Sequence, residues 1–147
     1  MNLDSVDKAI LNTLLENSRL SYREIARNVN VSVATAMHRV KALEKKGIIK
    51  YYTTKLDTEK LGYDVQVIIE AQISKGKLLQ VEHKIARHPN VTAVYDCTGD
   101  FDVMIIARFK SRRLMDDFLK NIQTYDFIEH TNTKLILNII KEGSIRL

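Results

Sequence analysis

The apolar pattern of this chain changes character close to Gly62. Ahead of that point apolar residues recur every three or four positions. Beyond it they alternate in runs, separated by shorter stretches of helical spacing. A period near 3.6 belongs to helices that bury one face, and a period of 2 belongs to strands that do so. The chain must therefore build a helical body first and a sheet afterwards. With 147 residues there is room for one ordinary domain or two small ones.

In the first third, Asp4 and Ser5 can cap a helix start. Val6, Ile10 and Leu14 then stand at i, i+4 and i+8, with Leu11 and Leu15 beside them, which predicts a helix to about Glu16. Asn17-Ser18 breaks it. Ser21 followed by Glu24 is a capping box, opening a short helix with Ile25, Ala26 and Val29 inward. Asn28-Val29-Asn30 ends that helix. Ser32 caps a third one, expected through about Lys46, with Ala36, Val40 and Leu43 inward and Gly47 stopping it. Residues 48–53 (Ile-Ile-Lys-Tyr-Tyr-Thr) are β-prone and return toward the module.

Two short helices joined by a tight turn form a helix-turn-helix pattern. Ala26 supplies the small residue such helices need where they cross, and Asn30 the residue tolerant of positive φ in the turn. Charge supports the pattern. Residues 1–56 hold ten Lys and Arg against five Asp and Glu, whereas residues 57–147 hold thirteen of each sign. The whole surplus of +5 thus sits on the helical module, which suggests a polyanionic partner for that part.

If Ala36, Val40 and Leu43 face inward, then Ala34, Thr35, His38, Arg39 and Lys41 face outward or flank. The N-terminal part of such a helix enters the major groove, behind its cap at Ser32. Thr35 and His38 can bond base edges and Ala34 can pack on a thymine methyl. Arg39 can either fork onto guanine or hold a phosphate. Arg23, Arg27, Lys45, Lys46 and Lys50 suit backbone phosphates. Taken singly, each exposed cation is better explained as a solubilising group, and His38 can instead be an ordinary surface histidine.

Residues 56–62 are polar and contain a turn signal, so they read as a connector. From Tyr63 onward, Val65, Val67, Ile69, Ala71 and Ile73 share one face of a strand. Leu78, Val81 and Ile85 mark a helix ending near His88-Pro89. Val91 to Cys97 is a second strand, Gly99-Asp100 a turn, and Phe101, Val103, Ile105, Ala107 and Phe109 one face of a third. Leu114, Phe118 and Ile122 mark another helix, with Met115 and Leu119 adjacent, and residues 131–140 a fourth strand. The order β-α-β-β-α-β is ferredoxin-like, with both helices on one face of an antiparallel sheet. The expected class is therefore α+β. A three-helix, winged-type helix-turn-helix domain over 1–53 and a connector over 54–62 precede a ferredoxin-like ligand-sensing and oligomerisation domain over 63–147. The second sheet face carries Ile68, Met104, Ile106, Ile136 and Ile140, so another copy of the chain is expected to cover it.

Several classes are excluded or disfavoured. No apolar run approaches the ~18 residues of a membrane span, and the opening residues lack the pattern of a secretory signal, so no membrane is expected and the cytoplasm is. One cysteine, Cys97, cannot form an internal disulfide or a multi-Cys zinc site. His38, His83, His88 and His130 lack metal-ligand spacing, and no Gly-rich phosphate loop is present. No metal, cofactor or catalytic residue is expected. The alternative is a metabolite-binding sensor or small ferredoxin-like enzyme with an incidental helical appendage.

The pieces Asp4…Asp7-x-x-Ile10-Leu11…Leu14, Ile25-Ala26…Val31-Ser32…Arg39-Val40…Leu43-Glu44…Gly47-Ile48-Ile49 and Gly99-Asp100-Phe101-Asp102 occur in order. In this the chain resembles the Lrp/AsnC, or feast/famine, family of transcriptional regulators over nearly its whole length. Asn30 departs from the glycine usual in the turn, and Val33-Ala34 lacks a proline often found early in the recognition helix. The resemblance implies sequence-specific binding of double-stranded DNA by a homodimer, tetramer or octamer, with repression or activation as the result. It also implies a free amino acid as effector, held by the Gly-Asp-aromatic-Asp turn, here Gly99, Asp100, Phe101 and Asp102, with Thr98 beside it. A glycine turn can offer N–H groups to an α-carboxylate, and Asp100 or Asp102 can pair with an α-ammonium. Thr131 and Thr133 are expected to add hydroxyls. A plain hairpin turn with a capping aspartate explains the same four residues equally well.

Overall fold

Local capping chemistry sets the first helices. The computed structural model describes residues 2–147. Asp4 accepts the Asp7 N–H at 2.8 Å and starts α1, Ser5–Glu16. Ser21 and Glu24 form the reciprocal capping box that starts α2, Tyr22–Val29. Ser32 accepts the Thr35 N–H at 3.1 Å and starts α3, Val33–Lys45. Asn30 takes the left-handed conformation (φ 56°), which lets the Val31 N–H reach back to the Ala26 carbonyl. Gly47, at φ 69°, closes α3 in the same manner, with the Ile48 N–H on the Leu43 carbonyl.

The three helices enclose Ile10, Leu11, Leu14, Ile25, Ala26, Ala36, Val40 and Leu43. Val29 packs at the edge of this cluster. Leu15, expected beside the stripe, is half exposed at the end of α1. Ile48 and Ile49 do return to the helical cluster, but residues 48–53 form no strand. A β-prone stretch needs a paired edge, and among the described residues this unit contains no other strand to supply one.

The sheet is built from β1 (Val65–Ile73), β2 (Val91–Asp96), β3 (Val103–Phe109) and β4 (Ile128–Leu135), in the antiparallel order β2-β3-β1-β4. Helices α4 (Leu78–Lys84) and α5 (Arg112–Gln123) cover one face. Val67, Ile69, Val103, Ile105, Ala107 and Phe109 from the strands meet Val81, Ile85, Phe118 and Ile122 there, with Phe127. This is the ferredoxin-like arrangement.

Three expectations about the sheet unit change. The α4 helix stops at Lys84, short of His88, and Leu78, its first residue, is exposed. Leu114 is likewise exposed in the first turn of α5, leaving Phe118 and Ile122 as the buried pair. The fourth strand runs three residues earlier than expected and ends at Leu135, so Ile140 lies outside it and is exposed. Ile136 follows the strand directly, its N–H on the Gln66 carbonyl at 2.9 Å.

The described residues divide into two compact units, one of residues 2–55 with 141–147 and one of residues 56–140. The last seven residues thus belong with the helices, whereas the sequence places them in the sheet domain. Asn12 explains this: its side chain donates to the Leu147 carbonyl at 2.7 Å and accepts the Leu147 N–H at 3.0 Å, while Arg146 pairs with Glu16. No helix among the described residues is long and apolar enough to cross a membrane.

Candidate nucleic-acid interface and sheet-face pocket

On the helical unit, α3 presents Ser32, Ala34, Thr35 and His38 to solvent at its N-terminal end. Ser32 and Thr35 share a hydroxyl contact of 2.8 Å, so the Thr35 hydroxyl starts from a fixed position. Arg23 on α2, Lys45 at the end of α3 and Lys50 in the segment after it are exposed cations. Arg39 differs from these. Its Nη1 lies 2.6 Å from a carboxylate oxygen of Asp4, the cap of α1, and 3.1 Å from one of Asp7 in the first turn of that helix. Side-chain bonds from the two carboxylates, Asp4 first, push the guanidinium further toward its charged form.

On the sheet unit, the face away from the helices holds a cavity of about 400 Å³. Glu70, Cys97, Thr98, Asp100, Phe101, Val103, Met104, Asn132 and Lys134 line it. Gly99, at φ 121°, lets the β2–β3 turn fold over one side. Asp102 does not face the cavity: its carboxylate accepts the Ile73 N–H at 2.8 Å and its N–H reaches the Ala71 carbonyl at 3.1 Å. It ties the turn to the end of β1. The Asp100 carbonyl accepts from Gln72 at 3.0 Å, which leaves the Asp100 side chain on the cavity wall. Phe101 stacks against His130 with ring centroids 6.0 Å apart.

The floor of the cavity is charged. Glu70, on β1, accepts from Lys134 at 2.6 Å and from Asn132 at 2.8 Å, and these bonds, with Lys134 the stronger cause, hold its carboxyl below the usual range. Sequence reasoning missed Glu70, Cys97, Val103, Met104, Asn132 and Lys134. It placed Thr131 and Thr133 here instead, and strand pleat forbids that. Thr131 stands opposite Ala71 and Thr133 opposite Ile69, both buried under the helices. The Thr131 hydroxyl accepts from Gln123 of α5 at 3.1 Å. The alternating neighbours Asn132 and Lys134 take the cavity side.

Both surfaces coincide with the parts of known protein families. Residues 3–50 match the family model for winged helix-turn-helix DNA-binding, and residues 66–145 match that for the Lrp/AsnC ligand binding domain. The chain belongs to the Lrp/AsnC family. An uncharacterized HTH-type transcriptional regulator of Pyrococcus furiosus is 46% identical over 142 residues, 97% of this chain and 96% of the relative. The HTH-type transcriptional regulator FL11 of the same organism is 31% identical over 95% of this chain and 93% of its own length. Among solved structures, E. coli AsnC superposes with a TM-score of 0.92 at 29% identity, covering both chains fully. A transcriptional regulator from Neisseria meningitidis, solved as a complex with L-Met, gives a TM-score of 0.91 at 26% identity over 99% of this chain and 96% of that one. The chain is therefore an Lrp/AsnC-type helix-turn-helix transcriptional regulator carrying that family's ligand-binding domain. Its curated relatives are HTH-type transcriptional regulators.

Proposed function

We propose that the protein regulates transcription in the cytoplasm as a homodimer or a higher assembly, reading duplex DNA through α3 and responding to a free amino acid in the sheet-face cavity. The observation that carries this reading is the exposed cluster Ala34, Thr35 and His38 behind the Ser32 cap, on the unit that holds the whole positive surplus. In it Thr35 and His38 bond base edges, Ala34 meets a thymine methyl, and Arg23, Lys45 and Lys50 hold phosphates. The Neisseria relative's L-Met supports an amino-acid effector. The cavity offers both signs of charge for a zwitterion, at Lys134 and at Glu70 and Asp100, beside the apolar Val103, Met104 and Phe101. Thr98 and Gly99 shape its rim, and Asp102 acts by fixing the turn.

A homodimer is supported by the open sheet face, where Ile68, Met104 and Ile106 remain half-exposed in the middle of the sheet. The test is a selection of genomic fragments by the purified chain, repeated with each amino acid, followed by a salt titration on the selected duplex. With ~6 phosphate contacts per dimer, affinity falls about a thousand-fold between 50 and 200 mM salt. Absence of any salt-dependent duplex binding contradicts the reading.

A further inference from the structure

We propose that Arg39 is a positioning residue and not a reader of bases: held by Asp4 and Asp7 at the start of α1, it fixes the angle at which α3 is presented. This rests on α3 being the DNA-facing helix, and it assigns a different task to a side chain whose type and location suggest base contact.

The geometry is a bridge between helices distant in sequence. One guanidinium nitrogen of Arg39 reaches both carboxylates, at 2.6 Å and 3.1 Å. Neither carboxylate is free to follow it elsewhere. The other oxygen of Asp4 is engaged as the α1 cap, accepting the Asp7 N–H at 2.8 Å. Asp7 itself is only 8% exposed. Moving Arg39 onto DNA would strip Asp7 of its charged partner where water reaches it poorly, which is costly. It would also leave two bare carboxylates on the surface that approaches phosphate.

Ile10 and Leu14 of α1 share one buried cluster with Ala36 and Val40 of α3. Apolar contact of this kind is non-directional, and several helix rotations bury nearly the same area. Charge-assisted bonds to fixed acceptors are directional. Arg39 lies between exposed His38 and buried Val40, so restraining it sets the rotation of α3 about its axis and with it the aim of Thr35 and His38.

Removing the bridge's carboxylates should act with a sign opposite to simple electrostatics. Asp4→Asn with Asp7→Asn removes two negative charges from a DNA-binding unit, which by charge alone tightens binding to every duplex. Asn caps a helix as well as Asp does, so the start of α1 survives. The full-length variants D4N/D7N, R39A and R39A/D4N/D7N would be titrated by fluorescence anisotropy against a selected duplex and a random one. Circular dichroism fixes a temperature at which each is folded, and the more conservative D4N alone serves if D7N prevents folding.

The expected result is a loss of about ten-fold for the selected duplex in D4N/D7N, as for other coupled neighbours, with the random duplex bound as tightly as before or tighter. R39A shows the same drop in the ratio of selected to random affinity, and the triple variant is no worse than R39A. D4N alone moves in the same direction by a smaller amount. Tighter binding of the selected duplex by D4N/D7N or D4N, or losses that simply add in the triple variant, overturns the proposal and makes Arg39 a direct contact. A wild-type chain that binds both duplexes equally overturns the reading of α3 itself, a result distinguishable from failure of the bridge.

Discussion

The Tyr52 hydroxyl donates to Glu44 at 2.7 Å, and partial burial, followed by the neighbouring carboxylate, pushes its pKa up to about 12 from 10.0. A tyrosine raised on folding holds its proton where the unfolded chain has lost it. Its contribution is complete below pH 10 and disappears as pH rises toward 12. Denaturant titrations between those values should show stability declining, and Tyr52→Phe should flatten that part of the profile; an unchanged slope in the variant assigns the decline elsewhere. The acid limb has the opposite sign. The Asp7 N–H, then Arg39, holds Asp4 below its ordinary 3.8, and the Ser21 N–H holds Glu24 below 4.5, so both stabilise above those values and are lost as pH falls beneath them. Most of these residue-level features were legible because they are local. The Ser21–Glu24 box and the left-handed Asn30 follow from three or four adjacent letters. The bridge from Arg39 to Asp4 joins residues 35 positions apart, and no local pattern announces it.

Elements show where pattern suffices and where register is needed. Alternation put Val67, Ile69, Val103, Ile105 and Ala107 on one face, and all are buried beneath α4 and α5. The same alternation in β4 does not say which parity meets the cavity. That depends on pairing with β1, which sets Lys134 opposite Ile68 and Thr133 opposite Ile69. The helix starts were readable from caps, but α4 has none and came out shorter than its apolar spacing suggested. The β2–β3 turn gives a check at this scale. A Cβ at position 99 would touch nothing within 4 Å, so Gly99→Ala acts through backbone strain at φ 121° alone. Such strain is of order 1–3 kcal/mol, and thermal denaturation of the variant should show a loss of that size. A neutral result would mean the turn relaxes to another conformation, and the cavity wall with it.

At the scale of the molecule, two units have separate cores and separate tasks: one carries the positive surplus, the other an incompletely covered sheet. The division itself was visible in the change of apolar period. The return of residues 141–147 to the helical unit was not, because it rests on Asn12 and Glu16, which lack a sequence signature. Pairing through the open face predicts that Ile106→Glu, placed opposite Ile68 and Ala93, yields monomers in sedimentation velocity at micromolar concentration. A variant that sediments as the wild type locates the interface elsewhere. Self-association and charge both serve one claim, that the N-terminal end of α3 reads sequence in duplex DNA. The ratio of affinities for a selected and a random duplex measures this directly, in wild type and in Thr35→Ala with His38→Ala. The wild-type ratio is expected to lie well above one and to fall in the variant by a factor corresponding to ~1–3 kcal/mol per lost base contact. An unchanged ratio in the variant contradicts it.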